Sequence, residues 1–223
     1  PNRPAKVTIE ELDTENGRAL LKIGNATLNK LEGSLPESLS LIPDEFVSPD
    51  PMPKSIQAAA EIWLQRRFLP EALRKLLLRE SPIATDTALV RPQETATAAA
   101  VRIASEMDGA TLCIQGPPGT GKTYTGAKVI IDLLAQGKNI GVVSNSHKAV
   151  FNLLGECVSQ SPSLRGVKVG GDASDPFFDT VLSFRHVRSS SDALARYQGG
   201  LIAGTAWLFS RDDMAGQLDY LVI

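Results

Sequence analysis

The sequence predicts an α/β fold in which a parallel sheet is flanked by helices and preceded by a small β and helical accessory segment. Three observations predict it. From about Ala110 onward, apolar runs of strand length alternate with amphipathic helical stripes. The octapeptide Gly116-Pro117-Pro118-Gly119-Thr120-Gly121-Lys122-Thr123 sits between one such run and a helix. Before residue 85 that alternation is missing, and a hairpin signal, a proline-rich stretch and two helical stripes take its place. With 223 residues, 43% hydrophobic and 22% charged, the chain is globular rather than disordered or disulfide-stapled. Lys+Arg 23 against Asp+Glu 25 leaves a net charge of -2, so there is no global basic field and any polyanion would meet a local patch. Two cysteines suit a reducing compartment, which points to the cytoplasm. No apolar run reaches the length of a bilayer span.

In chain order, Val7–Ile9 and Ala19–Ile23 are β-favouring runs, with Asn16-Gly17 as a turn dipeptide between them. The prolines and serines of 33–53 read as a loop. Ser55 is placed to cap a helix reaching Phe68, with Ile56, Ala59, Ala60, Trp63 and Leu64 on its packed face. Pro70 suits the first turn of a second helix with Leu73, Leu76 and Leu77 on a buried stripe. The polar run 81–86 reads as a boundary, which gives three segments: a β-containing part over 1–50, a stalk-like helical part over 51–84, and the main domain over 85–223. Within the last, 94–106 is a helix, Ala110–Gln115 a strand, and a further helix runs to Gln136 with Gly137 as its stop. The strand 139–144 precedes a helix whose Val150, Leu153, Leu154, Cys157 and Val158 recur at helical spacing. Val167-Lys168-Val169 is a weak strand, Arg185-His186-Val187-Arg188 a basic stretch, and 191–198 a helix. Leu201–Ala203 and Tyr220–Ile223 are the remaining strands. Cys113, Cys157 and Trp63 are expected in the core.

Residues 116–123 satisfy G-x-x-x-x-G-K-[ST] between a strand and a helix, the context this phosphate-binding loop requires. The chemistry follows from the residue types. Glycines let the backbone turn tightly and keep Cβ atoms out of the way of a phosphate. Amides of residues 119–123 then face it at the positive end of the following helix. Lys122 is placed to reach the β- and γ-phosphates of ATP, and the Thr123 hydroxyl to ligate Mg²⁺. Tyr124 follows directly and is a candidate contact to the nucleotide that the pattern itself does not require. Such a loop does not by itself name an enzyme.

Further residues carry a resemblance to superfamily 1 helicases of the Upf-like branch. Residues 116–123 resemble that family's motif I, and Ser144-Asn145-Ser146-His147-Lys148-Ala149-Val150 its motif Ia. The branch commonly has a small residue, Pro, Ser, Asn, any residue, Ala and Val there; this chain departs at Asn145 and inserts His147-Lys148. Leu201-Ile202-Ala203-Gly204-Thr205 resembles a later strand whose Gly-Thr end faces nucleic acid. Leu218–Ile223 resembles the strand leading into motif II, whose Asp-Glu would come next. Pro92-Gln93, with Gln93 lying 23 residues before Gly116, resembles the Q motif that reads the adenine edge. The Ser144–Val150 variant also resembles the helicase half of bacterial proteins that fuse a RecB-like nuclease to such a motor. The resemblance covers 88–223.

It implies the first RecA-like motor domain of an ATP-dependent helicase, a P-loop NTPase. Gln93 would select adenine, residues 116–124 would hold ATP, and Ser144, Asn145, Ser146, His147, Gly204 and Thr205 would meet the backbone of single-stranded DNA or RNA. Lys122 and Thr123 would be the catalytic residues present. The acidic pair and a second RecA-like domain with its arginine finger would be supplied by the remainder of the same polypeptide, so little hydrolysis is expected of these residues alone. Two other readings stay open. One is an AAA+ or other P-loop ATPase that does not act on nucleic acid; the other is a nucleotide-switched module that binds protein. Capping of the helix after Ser146 explains Ser144–His147 without any ligand.

Overall fold

The computed structural model describes residues 7–30, 48–66, 68–83 and 88–223. Most of the loop expected over 33–53, and part of the boundary expected over 81–86, lie outside the described residues. The chain divides into two compact units, Pro1–Ser48 and Pro49–Ile223.

In the first unit, strands β1 (Val7–Asp13) and β2 (Arg18–Ile23) form an antiparallel hairpin, followed by the short helix α1 (Asn25–Lys30). The register pairs Val7 with Ile23 and Asp13 with Arg18, with an irregularity between Ile9 and Glu11. The turn closes as its residues suggest. Asp13 accepts from the backbone amides of Glu15 and Asn16, and Gly17 takes the left-handed conformation.

The second unit opens with α2 (Met52–Arg66) and α3 (Glu71–Leu78). Both depart from the expected burial. α2 starts one turn before Ser55, and Ile56 is 70% and Trp63 41% exposed. Leu76 and Leu77 of α3 are exposed as well. A periodic stripe makes a helix amphipathic, but burial needs a second surface, and none covers these side chains among the described residues. α3 is held by polar contacts: Lys75 donates to Asp108 O at 3.2 Å and Thr111 Oγ1 to Ala72 O at 3.2 Å.

The rest is an α/β layer. Helices α4 (Ala96–Glu106), α5 (Lys122–Ala135) and α6 (His147–Gln160) alternate with β3 (Ile140–Val143) and β4 (Gly166–Val169). Then come α7 (Pro176–Thr180), β5 (Phe184–Val187), α8 (Ala193–Arg196), β6 (Leu201–Gly204), α9 (Ala206–Phe209) and β7 (Tyr220–Val222). The five strands form one parallel sheet in the order β5-β4-β6-β3-β7. Each central strand is buried on both sides, which is why these runs read as continuously apolar. Ile140, Val142, Leu201 and Ala203 pack one face against Ala127, Ile130 and Leu133 of α5 and Val150, Leu154 and Cys157 of α6. Val167, Val169, Val187 and Ile202 meet Ala193, Tyr197, Leu208 and Met214 on the other. Burial pushes the Cys157 thiol up to about 12, leaving it an inert core group.

Three expectations need correction here. Residues 110–115 are not a strand, and Cys113 and Ile114 are exposed. An extended apolar run becomes a strand only when another backbone pairs with it, and no described strand does. Residues 184–187, read as part of a basic stretch, are the edge strand β5: Phe184 and Val187 point inward while Arg185 is exposed. Cys113 and Trp63, expected in the core, are both exposed.

Candidate nucleotide loop and carboxyl-edge cleft

The loop 116–121 turns directly into α5. Gly119 and Gly121 both have φ of 80°, a region that side-chain-bearing residues rarely adopt, and a Cβ at either would point into open space. A Cβ on Gly116 would collide with Thr120 Oγ1, which itself donates to Pro117 O at 2.8 Å. The loop is therefore a tight turn with a bare concave side. The first amides of a fourteen-residue helix have no intrahelical carbonyl to meet, so they face that side. Lys122 is exposed, and its ammonium donates to Gly116 O and, at 2.8 Å, to Pro117 O. Thr123 and Tyr124 are exposed beside it, with Lys128 Nζ 5.6 Å from the centre of the Tyr124 ring. This donor set fits the phosphates of a nucleotide: backbone N–H groups, one exposed cation, and a hydroxyl able to ligate Mg²⁺.

Gln93 is exposed, with φ of 66°, in a segment that a local ion pair anchors. Arg102 Nε and Nη2 bind the two oxygens of Glu94 at 2.8 and 2.9 Å, and Arg102 also donates to Leu89 O. The Arg91 amide donates to the same carboxylate at 2.9 Å. Sequence reasoning missed this pair, although the i, i+8 spacing of opposite charges was visible. α4 is then tied to α5 by Thr97 Oγ1 and Thr125 Oγ1, 2.9 Å apart, one turn beyond the loop.

The guanidinium of Arg102, and then the Arg91 amide, hold the Glu94 carboxyl down at about 2, from an ordinary 4.5. A carboxyl depressed in the folded state stabilises it above the unfolded pKa and loses that contribution as pH falls toward the folded value. The Leu89–Thr95 segment is therefore expected to lose order between about pH 4.5 and 2, read as a fall in amide protection, relative to intrinsic exchange at each pH, at Arg91 and Glu94. In Arg102→Met this pH dependence should shrink to the part that the Arg91 amide sustains.

At the carboxyl edge of the sheet the polar residues behave differently from one another. The Ser144 amide donates to Gly204 O at 3.4 Å, which sets the end of β3 beside the end of β6. Asn145 and Ser146 are exposed, whereas Ser144, His147 and Thr205 are half-buried. Ser146 is the N-cap residue of α6 but its side chain makes no capping bond, so plain helix capping does not account for it. Gly204 is buried, and a Cβ there would lie 2.8 Å from Leu208 Cδ2; its bareness admits Leu208. A cleft of about 120 Å³ is lined by His147, Gly170, Arg188, Ser190, Thr205 and Trp207, among others.

The structure does not bring the two groups of site residues together. Gln160, at the far end of α6, donates to Tyr124 O at 3.5 Å, whereas His147 opens the same helix. With 1.5 Å rise per residue, about 20 Å of helix separates them. With 110–115 outside the sheet, no strand pairing fixes the loop to the carboxyl edge.

Fold and loop together define a P-loop NTPase domain with a RecA-like parallel sheet. Residues 88–198 match the family model of the AAA domain, the domain found in Upf-like superfamily 1 helicases. The matched segment takes in the phosphate loop and α6 and ends before β6, and it suggests a P-loop NTPase of helicase type. The match carries nothing toward a fused RecB-like nuclease. No curated protein and no solved structure matches the chain. No helix among the described residues is long and apolar enough to cross a membrane.

Proposed function

We propose that this chain is the ATP-binding part of a nucleic-acid-dependent ATPase, which couples hydrolysis to movement along, or unwinding of, DNA or RNA. ATP sits with its phosphates on residues 116–123 and its adenine toward Gln93. Mg²⁺ on Thr123 supplies charge neutralisation across the phosphates. A single strand lies along the carboxyl edge, with its backbone against Ser144–His147 and Thr205. Small hydroxyl and amide side chains position a phosphate backbone without reading bases. Completion of the chemistry belongs to other parts of the polypeptide, a second RecA-like domain among them.

One observation carries the coupling. Helix α6 begins in the carboxyl-edge cleft and ends against the helix that the phosphate loop opens. A rigid helix touching both sites lets each bias the other, and such coupling is reciprocal. The affinity of the chain for a fluorescent single-stranded oligonucleotide should therefore change when ATP is saturating, and the ATP affinity should change by the same factor with the oligonucleotide. ATP binding with no oligonucleotide binding at all would return the chain to an ATPase that does not act on nucleic acid.

A further inference from the structure

Lys168 is a cation in the wrong place for a cation. It lies in the middle of β4, is 0% exposed, and projects from the sheet face that packs α6, beside Ala203 in the parallel register. Its stem runs through the core, with Nζ 4.8 Å from the centre of the Phe151 ring. The ammonium emerges beneath the carboxyl-edge cleft and finds three acceptors there. They are Val169 O at 2.8 Å, Gly170 O at 2.9 Å and His147 Nδ1 at 3.0 Å.

An ammonium has three protons, and here each has an acceptor. The third bond has a consequence for His147. A ring nitrogen that accepts from an ammonium cannot carry a proton, so the imidazole is neutral and its proton sits on Nε2. Gly170 and Gly171, with φ of 68° and 80°, lie flat against this ring; a Cβ on Gly170 would come 3.0 Å from His147 Cε1. The ring is thus held at Nδ1 by Lys168 and along its side by bare backbone, and it lines the cleft.

The charge of Lys168 is not answered by a carboxylate. The field of Asp175 reaches it, but that side chain is committed to capping α7 through the Phe177 amide at 2.9 Å. Arg188, exposed on the cleft wall, makes no ion pair among the described residues. A second imidazole lies next to Lys168 across the sheet: His186 of β5, whose Nε2 is buried without a hydrogen-bond partner among the described residues. The exposed cation Arg188, the His147 ring, and the hydroxyl-bearing Ser190 and Thr205 line a cleft of about 120 Å³, with the Lys168 ammonium buried behind His147. At ~30 Å³ per water molecule, that is the scale of a phosphate and not of a nucleoside.

We infer that this cleft is a seat for one phosphate group, in which His147 Nε2–H, Arg188 and Ser190 donate to the anion and Lys168 is the buried positioning residue that fixes His147 as a donor. The inference rests on the nucleic-acid reading for the source of the group, a phosphodiester of a single strand, while free phosphate shares the same chemistry.

The test uses the whole chain, ¹⁵N-labelled, with its histidine ring nitrogens observed by NMR. His147 should show an unprotonated Nδ1 and a protonated Nε2, and Lys168→Met should release that tautomer. Inorganic phosphate and, separately, an oligo-dT strand should each shift the His147 Nε2 resonance. In Arg188→Ala, an exposed change that leaves folding intact, the salt slope of oligonucleotide binding should fall by about 0.7, one single-strand phosphate contact. His147→Gln should retain binding through its amide donor where His147→Phe loses it. A shift with phosphate and no oligonucleotide binding would support the seat, with free phosphate as its ligand, and overturn the nucleic-acid reading. Oligonucleotide binding with unchanged slope in Arg188→Ala, and no shift at His147, would overturn the seat and leave that reading standing. A protonated Nδ1 in the unaltered chain would overturn the role of Lys168 directly.

Discussion

Lys122→Ala is expected to weaken ATP and ADP binding by about 10- to 100-fold with no measurable change in the melting temperature. A hydrogen bond to a charged group contributes about 1.5–3 kcal/mol, and each 1.4 kcal/mol is a factor of about ten in affinity. The loop retains its other donors in the variant, because the amides facing the phosphates belong to the backbone of residues 119–123. Folding is spared for a separate reason. Lys122 is exposed, and the carbonyls of Gly116 and Pro117 that it meets are open to water once it is gone. Calorimetric titration of nucleotide alongside a thermal melt separates the two effects. Unchanged affinity would mean that the phosphates do not reach this lysine.

Leu154→Ala should have the largest effect on stability. Leu154 is 0% exposed and sits where α6 meets both α5 and the sheet, among Ile130, Val142 and Val150. Truncating such a leucine costs about 2–5 kcal/mol, part for lost transfer and part for the cavity left behind. In a domain of this size each kcal/mol lowers the melting temperature by about 2–4 °C, so the midpoint should fall by roughly 4–20 °C. Leu182→Ala makes the matching control: Leu182 is 90% exposed, and its removal should stay within about 0.5 kcal/mol. Equal effects from the two variants would show that α6 is not part of the cooperative core.

The phosphate loop was legible because its chemistry is written in consecutive residues: three glycines, a lysine and a threonine need no distant partner to define their roles. The α6 stripe was legible for a similar reason, since Val150, Leu154 and Cys157 repeat at a spacing only one helix face can use. What escaped the sequence depends on pairing across the chain. Ala110–Gln115 has the residues of a strand but no neighbour to pair with. β5 reads Phe184, Arg185, His186 and Val187, an edge strand whose two buried residues pack on opposite faces of the sheet, and the charges between them disguised it as loop. Lys168 looked like an ordinary polar residue in a weak strand, and only the fold shows it buried under His147. The stripes of α2 and α3 were read correctly as amphipathic, but periodicity does not say whether another surface arrives to cover them.

The strand order has a consequence for how the chain is made. Among the described residues β3 pairs with β6 and β7, both of which are translated after it. During synthesis Ile140, Val142 and the apolar side of α6 are finished well before Leu201 or Tyr220 exists to receive them. Parallel pairings between distant segments close slowly, because a long loop must be ordered before any ladder bond forms. The nascent chain therefore carries an uncovered, strand-prone hydrophobic segment from the completion of β3 until β6 has been made.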